Sequence, residues 1–525
     1  MIIDLDQQDG VAAELTPDVC VIGGGAVGIT LATALARAGA DVMLIEGGGV
    51  GLEADSQALQ QGQSIGQPFQ NIGVGRYRVL GGTTLYWGGQ LLPFDPFVTG
   101  ARPWAGHEAW PLPPGELDRW HQRTWALLGL DGLEHDDREV WRRSGVDAAA
   151  LGPELELIAS RWMRTRNLAR LFGAELRSAK GPRVLLHANA VALEMDAACH
   201  AVSAVHVRSL RGAQAVVRPR RTVLANGTLE IARLLLHPLA GGRIPPWQGN
   251  PWLGVPLIDH IDCHAADVKV LNHKAFHDLF DNVYLGGRMY HPKIRLTPQV
   301  QRSEGLVDIA GEFYYRTRFT EHLDYLKLFL RTLREASGEV PWGQLPRHLA
   351  ALLRAAGPLA LRYFRDRRSF KPHDAEVGLN LYCEQLPSPR SRVLLGPQRD
   401  ALGLQQLAVD WHIDGREIAS MRRFARAVDE RLRALGLAQL TLVPELESLS
   451  PAVLSRVRDS VHQMGTARIA ASPSQGVVDP TLRVHGTDNL FVAGAAVFPS
   501  TGHANPTFTA MALGQRLAAH LRAAP

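Results

Sequence analysis

Cysteine is scarce in this chain: Cys20, Cys199, Cys263 and Cys383 are the four in 525 residues, and no two stand at CxxC spacing. That argues against a disulfide framework and a cysteine zinc site, and for a reducing compartment. No metal site is expected. Long apolar runs are also missing; none reaches the roughly 20 residues that span a bilayer. The first residues, "MIIDLDQQDGVAAEL", hold no basic segment, apolar core or twin arginine, so a cytoplasmic protein is expected rather than an exported one. Charge of one sign is not in excess. Lys and Arg number 56 against 52 Asp and Glu, a formal +4, which is too weak a bias to suggest a nucleic-acid partner. Internal repeats and low-complexity linkers are absent as well. What remains is a long chain of ordinary globular composition, 46% apolar and 21% charged, with room for two or more domains around a large core.

Glycine, by contrast, is placed with purpose. In "DVCVIGGGAVGITLATALARAGADVMLIEGG", residues 18–48, the apolar run Val19 to Ile22 suits a buried parallel strand. Gly23, Gly25 and Gly28 then spell GxGxxG at the head of a helix-compatible stretch, with Ala26 and Val27 in its first turn. Gly23 permits the tight turn, Gly25 the close approach of backbone to a pyrophosphate, and Gly28 the close packing of helix on strand. The N–H groups and dipole at the helix start favour phosphate. A second apolar run, Val42 to Ile45, ends in Glu46, placed to accept hydrogen bonds from a ribose hydroxyl and to disfavour a 2′-phosphate. GxGxxG alone is weak evidence, but strand, turn, helix, strand and acid together specify a dinucleotide site.

The choice between NAD and FAD rests on the next stretch of chain. Instead of completing a parallel sheet at once, the chain passes into "RVLGGTTLYWGGQLLPFDP", residues 78–96, too rich in glycine for a helix or a central strand. Such backbone suits close wrapping around a flat ring system. No second GxGxxG in a strand–helix setting occurs, so a single enclosed dinucleotide, FAD, is the expectation.

Here the chain resembles the glucose–methanol–choline (GMC) flavoprotein oxidoreductases. The dinucleotide motif opens the resemblance. "GGTTLYWGG", residues 81–89, is similar to the family's flavin loop, and "RTVLANGTLEIARLLL", residues 221–236, to its second signature. "EQLPSPRSRVLL", residues 384–395, resembles its proline-rich lead-in to the substrate-domain sheet. The most specific piece is the C-terminal block from "HQMGTARI" through "GVVDPTLRVHGTDNLFVAGAAVFPSTGHANPTFTAMAL". The resemblance implies an α/β fold: a discontinuous Rossmann-like FAD-binding domain (1–95, 183–265 and 450–525) and a substrate domain (96–182 and 266–449) with an antiparallel sheet backed by helices.

It also implies site residues. His462 and Asn505 fall at the family's catalytic pair, of which the family uses His–His and His–Asn versions. His503 lies two residues before Asn505, but the register of the last helix assigns the place to Asn505 and leaves His503 a supporting role. Cofactor contacts are implied for Gly82, Thr83, Tyr86, Trp87, Gly88 and Gly89 in the flavin loop. Val191 is implied at the adenine, together with Ala225 and Gly227 in the second signature. Gly494 and Ala495 stand near the ribityl chain, where the family more often has Asp. Asn505, Pro506 and Thr507 close the set at the last helix. Tyr86 takes the position at which some relatives attach the flavin through histidine, so non-covalent FAD is expected.

The chemistry of these residue types agrees. Oxidising an alcohol requires removal of the hydroxyl proton while hydride leaves the carbon for flavin N5. Imidazole is the side chain whose ordinary pKa serves as a base near neutrality. An amide beside it can hold the same oxygen in line. The plainer readings are a satisfied core histidine for His462 and a helix N-cap ahead of Pro506 for Asn505, and the second is compatible with catalysis. Pro506 and its helix would aim a positive dipole end at the flavin.

The resemblance implies an alcohol substrate, with oxygen or an external carrier as acceptor. Trp110-Pro111 and the His–Asn pair resemble the family's sugar- and glycoside-oxidising branches, and Trp87 and Trp104 offer stacking surfaces for a ring, so a sugar, glycoside or sugar-containing natural product is the expectation. A lipid, steroid or other natural-product alcohol is the alternative, as is a non-redox lyase or photodecarboxylase on the same fold. Residues 320–372 form a helical basic insertion. Leu326, Phe329, Leu330 and Leu333 stand at helical spacing. Lys327, Arg331, Arg334, Arg347, Arg354, Arg362, Arg365, Arg367, Arg368 and Lys371 face few acids (Glu335, Glu339, Asp366). A solvated helical face, a lid over the active site and a peripheral contact with an anionic membrane are the three readings.

Overall fold

A computed structural model describes residues 1–7, 14–335, 342–372 and 375–523, with the side chains of 318–320, 323, 331–335 and 355 also outside the described set. Arg331, Leu333, Arg334, Glu335 and Glu339 of the basic insertion therefore lie outside it.

Val19–Ile22 and Val42–Ile45 are buried at every residue, as strands covered on both faces must be. They form the centre of a six-stranded sheet in the order Ile2–Asp4, Arg183–Leu186, Val42–Ile45, Val19–Ile22, Arg221–Leu224, Leu490–Val492. All its pairings are parallel. The chain returns to this sheet from distant points, which is why its units are scattered in sequence. Helix Ala26–Arg37 starts at the glycine turn and buries Ile29, Leu31 and Leu35, each worth about 1.5–3 kcal/mol. It packs against the last helix, Pro506–Ala523, where a Cβ at Gly514 would lie 3.1 Å from Val27 Cγ1.

The second large unit is a nine-stranded sheet whose main path runs Ala438–Leu442, His260–Val270, Glu376–Glu384, Ile309–Arg316, Arg288–Leu296, Leu155–Trp162, Gln90–Leu91. Its pairings are antiparallel. Because Gln90–Leu91 and His260–Val270 belong to it, the sheet crosses the boundaries expected at 95 and 265. Strand alternation divides its faces. Ile261, Cys263, Leu379, Leu381, Cys383, Ile309 and Phe313 pack with Met421, Phe424 and Val428 of helix Ile418–Ala434. Gly311 admits the Phe424 ring, which a Cβ would meet at 2.8 Å. The alternate positions bear His260, Asp262, Asn380, Tyr382, Glu384, Glu312, His291 and Lys293. Ile158 and Ala310, paired with Lys293 and Tyr382, are apolar residues on the same face.

Candidate active site

Beside the first sheet's glycine turn runs a long cavity lined by Gly23, Gly25, Ala26, Val27 and Glu46 at one end and by Trp87, His462, Pro506 and Thr507 toward the other. Gly82, Thr83, Ala225, Gly227, Gly494 and Ala495 line it between them. The glycines behave differently from one another. Gly23 has φ +107°, and a Cβ there would come within 2.5 Å of Asn226 Cα. A Cβ on Gly28 would lie 1.8 Å from the Gly23 carbonyl oxygen, so this residue locks helix to turn from behind the cavity. Gly25 is open, with nothing within 4 Å of the position a Cβ would take.

Glu46 closes the first end. Its Oε2 accepts from Gly24 N–H and its Oε1 from Gly48 N–H, both at 2.9 Å. Burial pushes its carboxyl up, against the pull of those N–H groups and of Arg78. Near it stands a cluster that the sequence did not announce. Glu230 takes Arg76 at 3.0 Å and Arg78 at 2.8 Å, and Arg233 reaches Asp400 at 2.6 Å. Burial raises the Glu230 carboxyl, but Arg78, Arg233 and Arg76 outweigh it and hold its pKa at about 2.

The donor set fits FAD. Helix Ala26–Arg37 presents its first N–H groups without a side-chain cap at Gly25, the arrangement that binds a pyrophosphate. Asn226 Oδ1 and Gln463 Nε2 are buried at the cavity wall without a hydrogen-bond partner among the described residues, which a bound ring's polar edge would satisfy. Other expected contacts lie off the lining. Tyr86 is exposed and stacks on Tyr77 with centroids 4.3 Å apart. Gly88 faces Trp162 and Gly89 faces Arg166. At the adenosine end the lining residues are Ala188, Asn189 and Ala190 rather than Val191. The register shifts there: Ala192 pairs with His206 and Ala190 with Val207, so Val191 is the bulged residue, turned by the change in pairing.

At the other end the histidine and the amide of the two C-terminal loops meet. Asn505 Nδ2 lies 3.1 Å from His462 Nε2, and His462 Nδ1 lies 3.0 Å from His260 Nδ1. His260 Nε2 faces the Thr501 carbonyl oxygen at 3.4 Å. A carbonyl can only accept, so His260 carries its proton on Nε2 and offers Nδ1 as acceptor. His462 then donates from Nδ1, which leaves the Nε2 lone pair free to take a proton. Asn505 presents the N–H that fills that lone pair at rest, and its Oδ1 is buried without a partner among the described residues. Burial depresses the His462 pKa well below the ordinary imidazole range, with His260 and Lys293 adding to the effect. Asp259 ties the two loops together by accepting from the N–H groups of His260 at 2.7 Å, Ser460 at 3.1 Å and His462 at 3.1 Å.

His503 points elsewhere. It is buried, and its backbone N–H and Nδ1 reach Asp308 Oδ2 at 2.9 and 2.7 Å. Burial works against the Asp308 carboxylate, yet His503 and Arg295 hold it well below the usual range. Behind it, Glu384 takes Arg102 in a two-pronged contact and His107 at 3.1 Å. Of the tryptophans, Trp87 lines the cavity. Trp110 is buried against Phe94 and Phe498, with its N–H on Ser500 at 2.9 Å, and Trp104 donates to the Leu306 carbonyl at 2.9 Å.

A parallel sheet with a glycine-turn dinucleotide cradle, roofed by an antiparallel sheet that delivers a histidine to one end, defines a flavin-type α/β fold. Residues 387–514 match the family described as GMC oxidoreductase. Over that stretch the chain is similar to the GMC oxidoreductases. A curated relative is the 6'''-hydroxyparomomycin C oxidase of Streptomyces lividus, 27% identical over 172 residues, covering 32% of this chain and 30% of that protein. The chain thus matches under a third of that relative's length. The 2-methyl-1,2-propanediol dehydrogenase of Mycolicibacterium austroafricanum is 23% identical over 487 residues, covering 83% and 79%. Among solved structures, a formate oxidase is 17% identical with TM-score 0.60, covering 98% of this chain and 99% of that one.

Proposed function

We propose that this chain is an FAD-dependent alcohol oxidoreductase that oxidises a CH–OH group of a sugar, glycoside or sugar-containing natural product. The observation that carries the reading is the hydrogen-bond chain from Thr501 through His260 and His462 to Asn505, with His462 Nε2 kept unprotonated at the cavity. Bound non-covalently, FAD would supply a hydride acceptor. His462 takes the hydroxyl proton at Nε2, Asn505 orients the same oxygen, and His260 fixes the tautomer that makes this possible. Tyr86, exposed and away from the cavity lining, supports non-covalent attachment.

The substrate class follows from the polar face of the large sheet. Asp262 accepts from Asn380 at 2.6 Å, and Glu312 takes His291 at 2.9 Å and Tyr382 at 2.8 Å, all on the face that carries His260. A partly exposed floor of hydrogen-bonding groups suits a polyhydroxylated ring and would desolvate poorly under a hydrocarbon. The sugar-derived substrate named for the Streptomyces lividus oxidase agrees with this. Incubation with a panel of sugars, glycosides, aminoglycosides and simple alcohols, with oxygen uptake and dye reduction read in parallel, tests it. Turnover of ring polyols above the simple alcohols is expected; preference for sterols or fatty alcohols would refute the substrate class. The described cysteines are all unpaired, and among the described residues no helix is long and apolar enough to cross a membrane. We place the enzyme in the cytoplasm.

Two substitutions separate the roles of the histidines. His260→Leu removes the acceptor for His462 Nδ1–H, so the correct tautomer is no longer enforced, and flavin reduction slows about 10-fold, the worth of one buried hydrogen bond. The wild-type rate should stay flat down through the ordinary imidazole pKa, about 6.5, and fall only at more acid pH, because protonation abolishes the base and the His462 pKa is depressed. His503→Ala instead removes the imidazole from the buried Asp308 carboxylate, leaving it the residue 503 N–H and Gln301 Nε2, a cost of about 1–3 kcal/mol. A lower unfolding temperature with near-normal reduction per bound flavin is the expected signature.

A further inference from the structure

The basic insertion is rooted far from the chemistry. Asp308, which holds His503, immediately precedes strand Ile309–Arg316. Eight residues later, about 26 Å along at the usual strand rise, the chain leaves that strand for helices Arg318–Glu335 and Leu345–Asp366. The second helix is fastened at its C-terminal end. Arg362 reaches Asp278 at 3.0 Å, the Tyr363 ring meets Tyr284 at 5.0 Å, and the Arg367 carbonyl accepts from Tyr284 N–H at 2.8 Å. The pair is also closed on itself: Tyr325 stacks on His348 at 3.9 Å, and His322 Nδ1 lies 2.9 Å from His348 Nδ1. A lid over His462 does not follow from this placement.

The outer face of the second helix is unlike a solvated one. Leu353 is 74% exposed, Phe364 69% and Leu361 58%, and Trp342 at the head of the helix is 60% exposed. At about 100° per residue, Leu353 and Phe364 lie some 20° apart, with Leu361 beside them. Arg347, Arg354 and Arg365 share an arc of about 20° along the border of that stripe. Arg365 pairs with Asp366 at 2.8 Å; Arg347 and Arg354 have no acidic partner among the described residues. The described side chains of residues 318–372 include eight Lys and Arg against three acids. Two of those acids, Asp324 and Asp366, are already paired.

We propose that this face docks on an anionic lipid surface, with Leu353, Leu361 and Phe364 entering the interface and Arg347 and Arg354 meeting phosphate headgroups. Apolar side chains bordered by arginine on a helix too polar to span are what an interfacial helix requires. The excess of positive charge on one face selects anionic lipid over a neutral surface.

Sedimentation of the full chain with phosphatidylcholine vesicles, with and without phosphatidylglycerol, tests this. Binding should need phosphatidylglycerol and be lost at high salt. The double variant Leu353→Glu/Phe364→Glu should stay in the supernatant. Arg347→Gln/Arg354→Gln should bind about 25-fold more weakly, at roughly fivefold per arginine; it keeps the test decisive if the glutamate variant does not fold. Absence of wild-type binding to the anionic vesicles, or equal binding by a folded Leu353→Glu/Phe364→Glu, overturns the proposal. So does a wild-type dimer in ultracentrifugation that this variant dissociates, because the face then belongs to a second copy.

Discussion

His462→Ala should lower the rate of flavin reduction by substrate about 10²–10⁴-fold, the range for loss of a general base, while FAD content stays at one per chain. The reason lies in the order of the hydrogen bonds. Thr501 fixes His260, His260 fixes His462, and the one atom left free to accept a proton at the cavity is His462 Nε2. Alanine removes that atom without touching the glycine cradle at the far end. Asn505→Ala should cost less, because it removes an orienting amide and leaves the base in place. Stopped-flow reduction under anaerobic conditions measures both. A His503→Ala variant as slow as His462→Ala, with full FAD, would replace the His–Asn pair with a His–His pair.

Gly25→Val should yield a folded, colourless protein. At this position the backbone is extended (φ −83°, ψ −164°), a conformation that valine accepts, and no protein atom lies within 4 Å of the new Cβ. The unfolding temperature of the cofactor-free chain should therefore be unchanged. The side chain projects into the space that a pyrophosphate must approach, so flavin is excluded. Gly28→Ala is the contrasting case: its Cβ would collide with the Gly23 carbonyl at 1.8 Å, and both stability and flavin should suffer. Flavin absorbance of the purified variants and their thermal midpoints distinguish the two. A yellow Gly25→Val protein would refute the cradle.

These contrasts show which parts of the molecule can be read from sequence. The dinucleotide unit is local, with its strands, turn, helix and acid all inside residues 18–48, so strand period, glycine spacing and the terminal acid are visible in one window. His462 and Asn505 are 43 residues apart, yet each sits in a short stretch whose register the resemblance supplies. His260 was not legible. It comes from "LIDHIDCHAAD" on a strand that alternates polar and apolar residues, and nothing local says that it meets a residue 202 positions away. The Arg76, Arg78, Glu230 and Arg233 cluster was hidden for the same reason, since it exists only where a loop and a helix converge. Val191 illustrates a different limit. It lies on strand Asn189–Met195, where a single bulge decides which residues face the cavity, and a one-residue shift reverses every side chain.

The central claim is that His462 and its hydrogen-bonded partners serve the oxidation of an alcohol on a polyhydroxylated ring by bound FAD. Its most direct test is a single turnover without oxygen: the yellow protein is mixed with each sugar, glycoside and aminoglycoside of a panel while the visible flavin band is followed. The account predicts that the band bleaches with at least one ring polyol, returns when an acceptor is admitted, and bleaches far more slowly in His462→Ala. A wild-type band unchanged by every ring polyol, with bleaching confined to lipid or short-chain alcohols or absent altogether, would contradict it.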